Sequence, residues 1–375
     1  MSFRKYSMRA LSVLVVSTVA TALAAAPAST FEVEAFYGNY DVDTKEAGLP
    51  AGSLSEPVIE EWVSPTPHER YRIGVVFPHL KDPYWLAVNY GIVDQARQLG
   101  VDIELVAAEG YEDISGQISQ AENLRNRGVD GIILAAISYA AQDGLVEALT
   151  QDLPVVEVIN DIQASDITAK TLVSFYTMGY VSGEYVARDT EGEDFASVAF
   201  LPGPAGSGWA PDTLDGFKQA LVDNGAEDRV EIVSVRWGDT GKSAQIQIIE
   251  NALNESPDLD YLVGNAVAAD AAPDILRNRQ NTPKVVSTFM IPPLYNKIRA
   301  GKVAVAPTDF TALQGRMAVD AMVRILNGET PGEGFPFRAG PLIQPVTPET
   351  IDDFVYEDML GPRDWRPVFS VTGDN

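Results

Sequence analysis

The sequence predicts an α/β protein of two lobes, each built on a doubly wound parallel sheet. Strand and helix patterns alternate from residue 71 onward, with one set of alternating elements in each half of the chain. The strands are rich in Val and Ile and almost continuously apolar, as strands buried on both faces of a parallel sheet are. With 375 residues, of which 46% are hydrophobic, the chain is long enough for two domains with substantial cores.

The first βαβ unit, over 72–105, shows the pattern most clearly. An apolar strand at 72–77 ends in a short polar loop, and Asp82-Pro83 then opens a helix over 83–99. A second strand follows at 101–106. The helix carries its apolar residues at helical spacing, at Leu86, Tyr90, Val93 and Ala96.

The remaining elements follow the same rhythm. Apolar runs predict further strands at 130–136, 154–159 and 171–174 in the first half, and at 196–201, 230–235, 260–264, 284–289 and 303–306 in the second. Helical patterns between them predict helices at 113–127, 140–150, 178–190, 211–224, 241–255, 267–278, 292–300 and 310–327.

The N-terminal segment has two parts. Residues 1–28 are typical of a secretory signal peptide, with a basic start, a short apolar stretch and a small-residue cleavage site near Ala26-Pro27-Ala28. Residues 29–70 are acidic and have no sustained period, so they are expected to form an extended arm draped over the first domain, or to be disordered. No later stretch is apolar enough to cross a membrane, and export without membrane insertion is therefore predicted.

Composition excludes several classes of function. The formal net charge is −26, and removal of the three basic residues of the leader makes it −29. A surface of this charge repels nucleic acid and anionic lipid. The absence of cysteine excludes disulfides, thiolate chemistry and cysteine-bound metals.

Catalytic motifs are weak as well. The two histidines, His68 and His79, are interpreted as surface residues, and no nucleophile motif stands near them. The loop Gly203–Gly208 follows a strand, but Trp209 and Ala210 stand where a phosphate-binding loop needs Lys and Ser or Thr. We interpret this loop as a hinge-facing turn, and we predict no catalytic residue, metal or cofactor.

Aromatic residues give the strongest functional signal, because they follow strand ends in both halves. The carboxyl ends of parallel strands are where ligands bind in open α/β sheets. Six aromatic residues and two acids in such places predict an acidic, ring-lined cleft suited to a small methylated ammonium group. The predicted ligand-binding residues are Asp82, Tyr84, Trp85, Tyr111, Phe175, Tyr176, Phe289 and Asp309.

From Tyr71 to about Ala339 the chain resembles the type I periplasmic binding proteins of the ribose-binding kind. The resemblance rests on FPHLKDPYWLAVNYG (77–91), with weaker matches in EGY (109–111), FYTMGY (175–180), LPGP (201–204), WGD (237–239), GNAVAADAA (264–272) and WRPVF (365–369). It implies two lobes joined by three crossings, the last near RAGKVAVAPTDF (299–310). The implied lobes are 71–175 with 310–340, and 176–309 with 341–375.

The resemblance also implies a ligand and a partner. Sugar-binding relatives fill the cleft with polar residues, whereas the matching places here hold Asn160-Asp161-Ile162, Pro211 and Phe289, with no arginine. Each buried donor left unmet would cost about 1–3 kcal/mol, which argues against a sugar. The members that share the quoted segments sense trimethylamine N-oxide and dock on the periplasmic domain of a membrane sensor histidine kinase. That ligand or a related methylamine, that partner and a periplasmic location are therefore implied.

A role for each predicted residue follows from the resemblance. Rings would hold the trimethylammonium group, while Asp82 and Asp309 would act as electrostatic and water-holding partners. Phe175 departs from the pattern, because a tryptophan is expected at its position. The implied ring residues are Tyr84, Trp85, Tyr111, Phe175 and Phe289.

Three alternatives stay open. A substrate-binding protein of an ABC transporter, for a quaternary amine, a sugar or another small solute, would share the fold and the export signal. Glycine betaine, choline or another quaternary amine would use the same rings, although a carboxylated ligand would require an arginine in the cleft. An exported enzyme would need a nucleophile or metal site that the sequence does not offer.

Overall fold

The structure, a computed structural model, describes residues 30–46 and 48–373, and the predicted signal peptide lies outside them. The strands, in chain order, are β1 (Phe31–Phe36), β2 (Val58–Trp62), β3 (Arg72–Phe77), β4 (Asp102–Ala107), β5 (Gly131–Leu134), β6 (Val155–Val158), β7 (Ala169–Thr171), β8 (Ala196–Leu201), β9 (Val230–Val235), β10 (Tyr261–Gly264), β11 (Lys284–Ser287), β12 (Ala306–Pro307), β13 (Arg338–Pro341), β14 (Pro345–Val346) and β15 (Ser370–Val371). The helices are α1 (Pro83–Leu99), α2 (Ile114–Asn126), α3 (Asp143–Thr150), α4 (Phe175–Asp189), α5 (Trp209–Asp223), α6 (Lys242–Glu255), α7 (Ala266–Leu276), α8 (Pro292–Arg299), α9 (Thr311–Leu326) and α10 (Tyr356–Leu360). No helix in this described part of the chain is long and apolar enough to cross a bilayer.

The first lobe is built on a nine-stranded sheet in the order β15-β4-β3-β5-β6-β7-β13-β1-β2. The strands from β4 to β13 in this order run parallel, and β15, β1 and β2 pair antiparallel at the margins. Alternate residues of β3 face opposite helix layers: Val75 packs in the cluster that includes α1 and α9, and Val76 in the one that includes α2 and α3. The sheet is therefore doubly wound, as predicted.

The second lobe is a four-stranded parallel sheet in the order β11-β10-β8-β9. Its two central strands, β8 and β10, are buried at every residue, which explains the continuous apolar sequence of β8. The helices α4 and α5 approach very closely, because a Cβ on Gly179 would lie 2.0 Å from the Thr213 carbonyl oxygen. Two doubly wound α/β lobes, predicted from the alternation of elements, are thus confirmed.

Helix α1 is fixed at both ends by its sequence. Asp82 caps the first turn, where its Oδ1 accepts the Trp85 amide N–H at 3.2 Å, and Pro83 occupies the first turn. The helix ends at Gly100, whose φ of 69° is left-handed. This cap places the residues that follow β3 at the carboxyl edge of the first sheet, facing the second lobe.

The arm at 29–70 lies on the first lobe, as one of its two expected forms had it, but the strands β1 and β2 that it adds to the first sheet were not predicted. In FEVEAF the residues Val33 and Ala35 are buried while their glutamate neighbours are exposed, which is the period-two pattern of a strand. A buried carboxylate anchors the arm, because Asp320 of α9 accepts hydrogen bonds from Trp62 Nε1 and Ser64 Oγ, both at 2.9 Å.

The C-terminal segment also differs from the expectation that 341–375 belongs to the second lobe. Its last strand, β15, pairs antiparallel with β4 of the first sheet. Asn89 of α1 explains this return, because its side-chain oxygen accepts from Trp365 Nε1 at 3.0 Å and from the Val368 amide at 2.9 Å. These bonds draw the tail back across α1.

Candidate functional site

Six aromatic side chains meet in one cavity between the lobes, and we call them the aromatic cage. The first turn of α1 and the segment after β4 supply three of them from the first lobe. The starts of α4 and α5 and the segment after β11 supply the other three from the opposite side. The aromatic cage consists of Tyr84, Trp85, Tyr111, Phe175, Trp209 and Phe289, and the same cavity is also lined by Asp82, Asn160, Thr240 and Val267.

The rings contact each other mostly edge to face. Tyr84 and Phe289 are 5.3 Å apart between ring centroids, with an interplanar angle of 81°. Trp209 lies 5.7 Å from Phe289 at 90° and 5.4 Å from Phe175 at 42°. The cavity they enclose is only about 20 Å³, which admits little more than one water molecule. In this arrangement neither a sugar nor a small methylated amine fits, so any such ligand needs the rings or the lobes to move apart.

Polar atoms in the cage are donors that have few partners. The Trp209 indole N–H and the Tyr84 hydroxyl are buried without a hydrogen bond of ordinary geometry. The Tyr111 hydroxyl accepts from Asn160 Nδ2 at 3.3 Å, and burial raises the pKa of Tyr111 above its usual value. Burial likewise raises the pKa of Tyr84, so both phenols keep their protons. The cage therefore combines π faces with buried N–H and O–H groups that have only weak partners, Asp309 for Tyr84 and Tyr111 for Trp209.

Asp82 lines the cage, and His79 lies just outside it, against Tyr111. Burial raises the pKa of the Asp82 carboxyl, against the opposing effect of His79. The prediction of His79 as a surface residue is wrong, because the residue is only 4% exposed and its ring lies edge-on to Tyr111 at 5.5 Å. Residues of the second lobe, such as Asp239, line the same cleft as His79, and so cover a loop that looks solvent-facing in the sequence.

Asp309 lies behind the cage and does not line it. The residue is fully buried beside the Tyr84 hydroxyl, and neither of its carboxylate oxygens completes a hydrogen bond of ordinary geometry. Burial raises the pKa of Asp309 to about 8. The carboxyl is then uncharged at neutral pH, so its predicted electrostatic role is favoured only in alkaline solution.

Tyr176 is, with Asp309, a predicted residue that does not line the cavity. It follows Phe175 directly in α4, and neighbouring residues of a helix point about 100° apart, so one of the pair faces away from the cage. The Tyr176 Cβ instead packs on the arm, 2.9 Å from where a Cβ on Gly48 would lie.

The segment Asn160-Asp161-Ile162, which matches a polar ligand-binding segment of sugar-binding relatives, is held here by buried ion pairs. Asp161 is bonded to Lys170 at 2.8 Å and to Lys45 of the arm at 2.5 Å, with all three side chains buried. Lys170 also pairs with Glu157 at 2.8 Å. These ion pairs give Asp161 a structural role. Asn160 is the residue of that segment that lines the cage.

Sequence reasoning missed Trp209 and His79. Trp209 was weighed only against a phosphate-binding motif, although its position at the start of a helix after β8 is equivalent to that of Phe175 after β7. The repeated placement of an aromatic residue at a helix start was the available signal. For His79 no signal in the sequence indicated burial.

The fold and this site define the class of protein. The chain belongs to the periplasmic binding protein family, because the family model described as a periplasmic binding protein domain matches residues 73–330. Within it, the chain is similar to the periplasmic protein TorT of Escherichia coli K12, at 30% identity over 299 residues that cover 80% of this chain and 84% of TorT. The D-allose-binding periplasmic protein of the same organism is 24% identical and covers 66% of this chain and 83% of its own length.

Two solved structures are similar over most of their length. One is TorT in complex with the TorS sensor domain in the presence of TMAO, with 30% identity, a TM-score of 0.71, and coverage of 80% of this chain and 99% of that one. The other is an ABC transporter solute-binding protein from Bradyrhizobium sp. BTAi1 with bound Bis-Tris, with 32% identity and a TM-score of 0.73. The match covers 98% of that chain and 90% of this one. Because residues 71–375 make up less than 90% of this chain, the match includes part of residues 1–70.

Proposed function

We propose that the chain is a periplasmic sensor protein that binds trimethylamine N-oxide, or a related small methylated amine, in the aromatic cage. It reports the ligand to the periplasmic domain of a membrane sensor histidine kinase and performs no catalysis. The observation that carries the proposal is a cage of six rings with two buried donors, the Tyr84 hydroxyl and the Trp209 N–H, whose contacts to Asp309 and Tyr111 fall short of ordinary hydrogen-bond geometry. The predicted leader at 1–28 would deliver the protein to the periplasm.

The chemistry of the cage matches the two ends of this ligand. A trimethylammonium group has no N–H to donate, and each desolvated ring face stabilises it by up to about 2 kcal/mol. The oxide is a strong acceptor that the Trp209 N–H and the Tyr84 hydroxyl would satisfy. Among the residues that the structure describes, neither lysine nor arginine lines the cage, which disfavours a carboxylated amine such as glycine betaine.

The partner is proposed from the relatives. The similarity to TorT in its complex with TorS supports docking on a kinase of that kind. A ligand shifts such a complex only as far as it binds one of its states better than the other. Because the cavity is small, ligand entry requires the rings or the lobes to part, and this movement would carry the signal.

The test is calorimetric titration of the mature protein with trimethylamine N-oxide and with ribose, alone and in the presence of the purified kinase periplasmic domain. Heat of binding with the N-oxide under either condition, and none with ribose, is expected. Ribose binding, or no binding of the N-oxide under both conditions, contradicts the proposed ligand. The variant Trp85→Leu, which removes one ring of the cage, serves as the control and should lose binding of the N-oxide.

A second candidate function is supply of an amine to an ABC transporter. It is favoured by the solute-binding protein that holds Bis-Tris, a hydroxylated amine, since that match extends into the N-terminal region. Transport and sensing differ in the membrane partner, so co-purification with a permease instead of a kinase would decide for transport.

A further inference from the structure

A second cavity adjoins the aromatic cage, and we call it the outer chamber. It has a volume of about 300 Å³ and shares Asp82, Thr240 and Val267 with the cage. Its walls come from both lobes, with His79 on one side and Lys242 on the other. A ligand whose head lies in the cage therefore has room for a further group in the outer chamber.

His79 offers a hydrogen-bond donor to this chamber. Its Nδ1 accepts the Lys81 amide N–H at 3.3 Å, which in the neutral ring places the proton on Nε2. Burial lowers the pKa of His79 and so favours this neutral form, despite the nearby carboxylates of Asp82 and Asp239 and with the help of the Lys81 ammonium. Nε2 lies 3.8 Å from Asp82 Oδ2, too far for a direct hydrogen bond.

The cationic side chains of the chamber already have partners. The Lys81 ammonium donates to the Glu109 carbonyl oxygen. Lys242 bonds Asp270 at 3.2 Å, and Asp270 also holds Lys297 at 2.6 Å. The donor on His79 and the acceptor on Asp82 are therefore the pair best placed to recognise a ligand.

We propose that His79 Nε2 and Asp82 Oδ2 form a hydroxyl-binding subsite, and that the ligands of the cleft include hydroxyalkyl trimethylammonium compounds, of which choline is a small example. A donor and an acceptor 3.8 Å apart fit one hydroxyl oxygen, which accepts from the first and donates to the second. Asp82 lines both the cage and the outer chamber, so a short carbon chain would join the trimethylammonium group to the subsite. This inference rests on the proposed binding of methylated amines by the cage.

The test compares choline with n-propyltrimethylammonium, which carries a methyl group in place of the hydroxyl, by calorimetry at pH 7.5. The unaltered protein is expected to prefer choline about tenfold. In His79→Leu this preference falls to about one, whereas His79→Gln, which keeps a donor, restores part of it. His68→Leu changes the other, exposed histidine and is expected to keep the full preference.

The outcomes separate the two proposals. Equal affinity for the two amines in the unaltered protein overturns the hydroxyl subsite and leaves the cage standing. A choline preference that survives in a folded His79→Leu protein also overturns it. Failure of both amines and of trimethylamine N-oxide to bind overturns the proposed function itself, together with this inference.

Discussion

Tyr84 and Phe289 meet edge to face across the two lobes, with 5.3 Å between their ring centroids. Tyr84 belongs to the first turn of α1, and Phe289 follows β11 of the second sheet. Because each lobe supplies part of the same ring surface, a cation between these rings binds both lobes at once. Ligand affinity and lobe closure are therefore expected to be linked.

Removal of the Trp209 N–H is predicted to weaken binding of the oxide end of the ligand and to leave binding of the methylated ammonium end unchanged. Trp209→Phe keeps a ring in the cage but deletes a buried donor whose contact to the Tyr111 hydroxyl falls short of ordinary hydrogen-bond geometry. Affinity for trimethylamine N-oxide should fall roughly tenfold, as expected for the loss of a hydrogen bond to a strong acceptor. Affinity for tetramethylammonium, which has no oxide, should change little. Calorimetric titration of both ligands measures the difference.

The control for this variant is Trp237→Phe. Trp237 is 40% exposed and does not line the cage, so this change should leave both affinities unaltered. An equal loss of the two ligands in Trp209→Phe would show that the ring itself, and not its N–H, is what matters.

Asp309 is predicted to make the folded state less stable as the pH rises. Its pKa is about 8 in the folded protein, because burial disfavours the charged form, and about 4 in an unfolded chain. Its contribution to the free energy of unfolding is therefore fully present below about pH 4 and is lost as the pH rises through 8. Asp309→Asn, which stays neutral, should be more stable than the unaltered protein at pH 8 by on the order of a few kcal/mol.

Thermal unfolding of both proteins at pH 5 and pH 8 measures this effect. Asp212 and Asp320 also have raised pKa values, of about 7 and about 6. The stability of Asp309→Asn should therefore also fall as the pH rises, but by less. The difference between the two proteins isolates Asp309, and a difference that does not grow with pH would contradict a buried neutral carboxyl.

Packing of the arm on the second lobe is predicted to depend on Gly48. Its φ is +73°, and a Cβ there would lie 2.9 Å from both Asp212 Cγ and Tyr176 Cβ. Gly48→Ala should destabilise the fold by backbone strain and by this clash, each of about 1–3 kcal/mol. Chemical denaturation measures the sum.

Gly128→Ala is the matched comparison for Gly48→Ala. Gly128 has a φ of +75°, and nothing lies within 4 Å of its added Cβ, so the variant carries the strain without the clash. An equal loss of stability in both variants would mean that Gly48→Ala adds backbone strain but no clash. It would contradict close packing of the arm on the second lobe.

The core elements could be predicted because their sequence patterns are local. The strand at 72–77 and the helix at 83–99 have the bounds of β3 and α1, where apolar runs, the Asp82 cap and Gly100 all agree. The arm strands were missed because acidic residues dominate their composition and hide the alternation of Val33 and Ala35. An edge strand buries one face only, so overall polarity is a poor guide to it.

The site was predicted in outline and missed in detail for a different reason. Strand ends could be placed in the sequence, and with them Tyr84, Trp85 and Phe289. Which of the neighbours Phe175 and Tyr176 faces the cavity depends on the rotation of α4, which its packing on α5 fixes. Burial of His79 depends on the opposite lobe, and no local pattern reports such a contact.

A crystal structure of the mature protein grown with trimethylamine N-oxide tests the central claim most directly. The account predicts the nitrogen of the ligand within about 6 Å of several cage ring centroids, including Tyr84 and Phe289, with the oxide directed to Trp209. Ligand bound outside the cage, or a cage that stays closed at saturating N-oxide while the protein binds ribose, would contradict it.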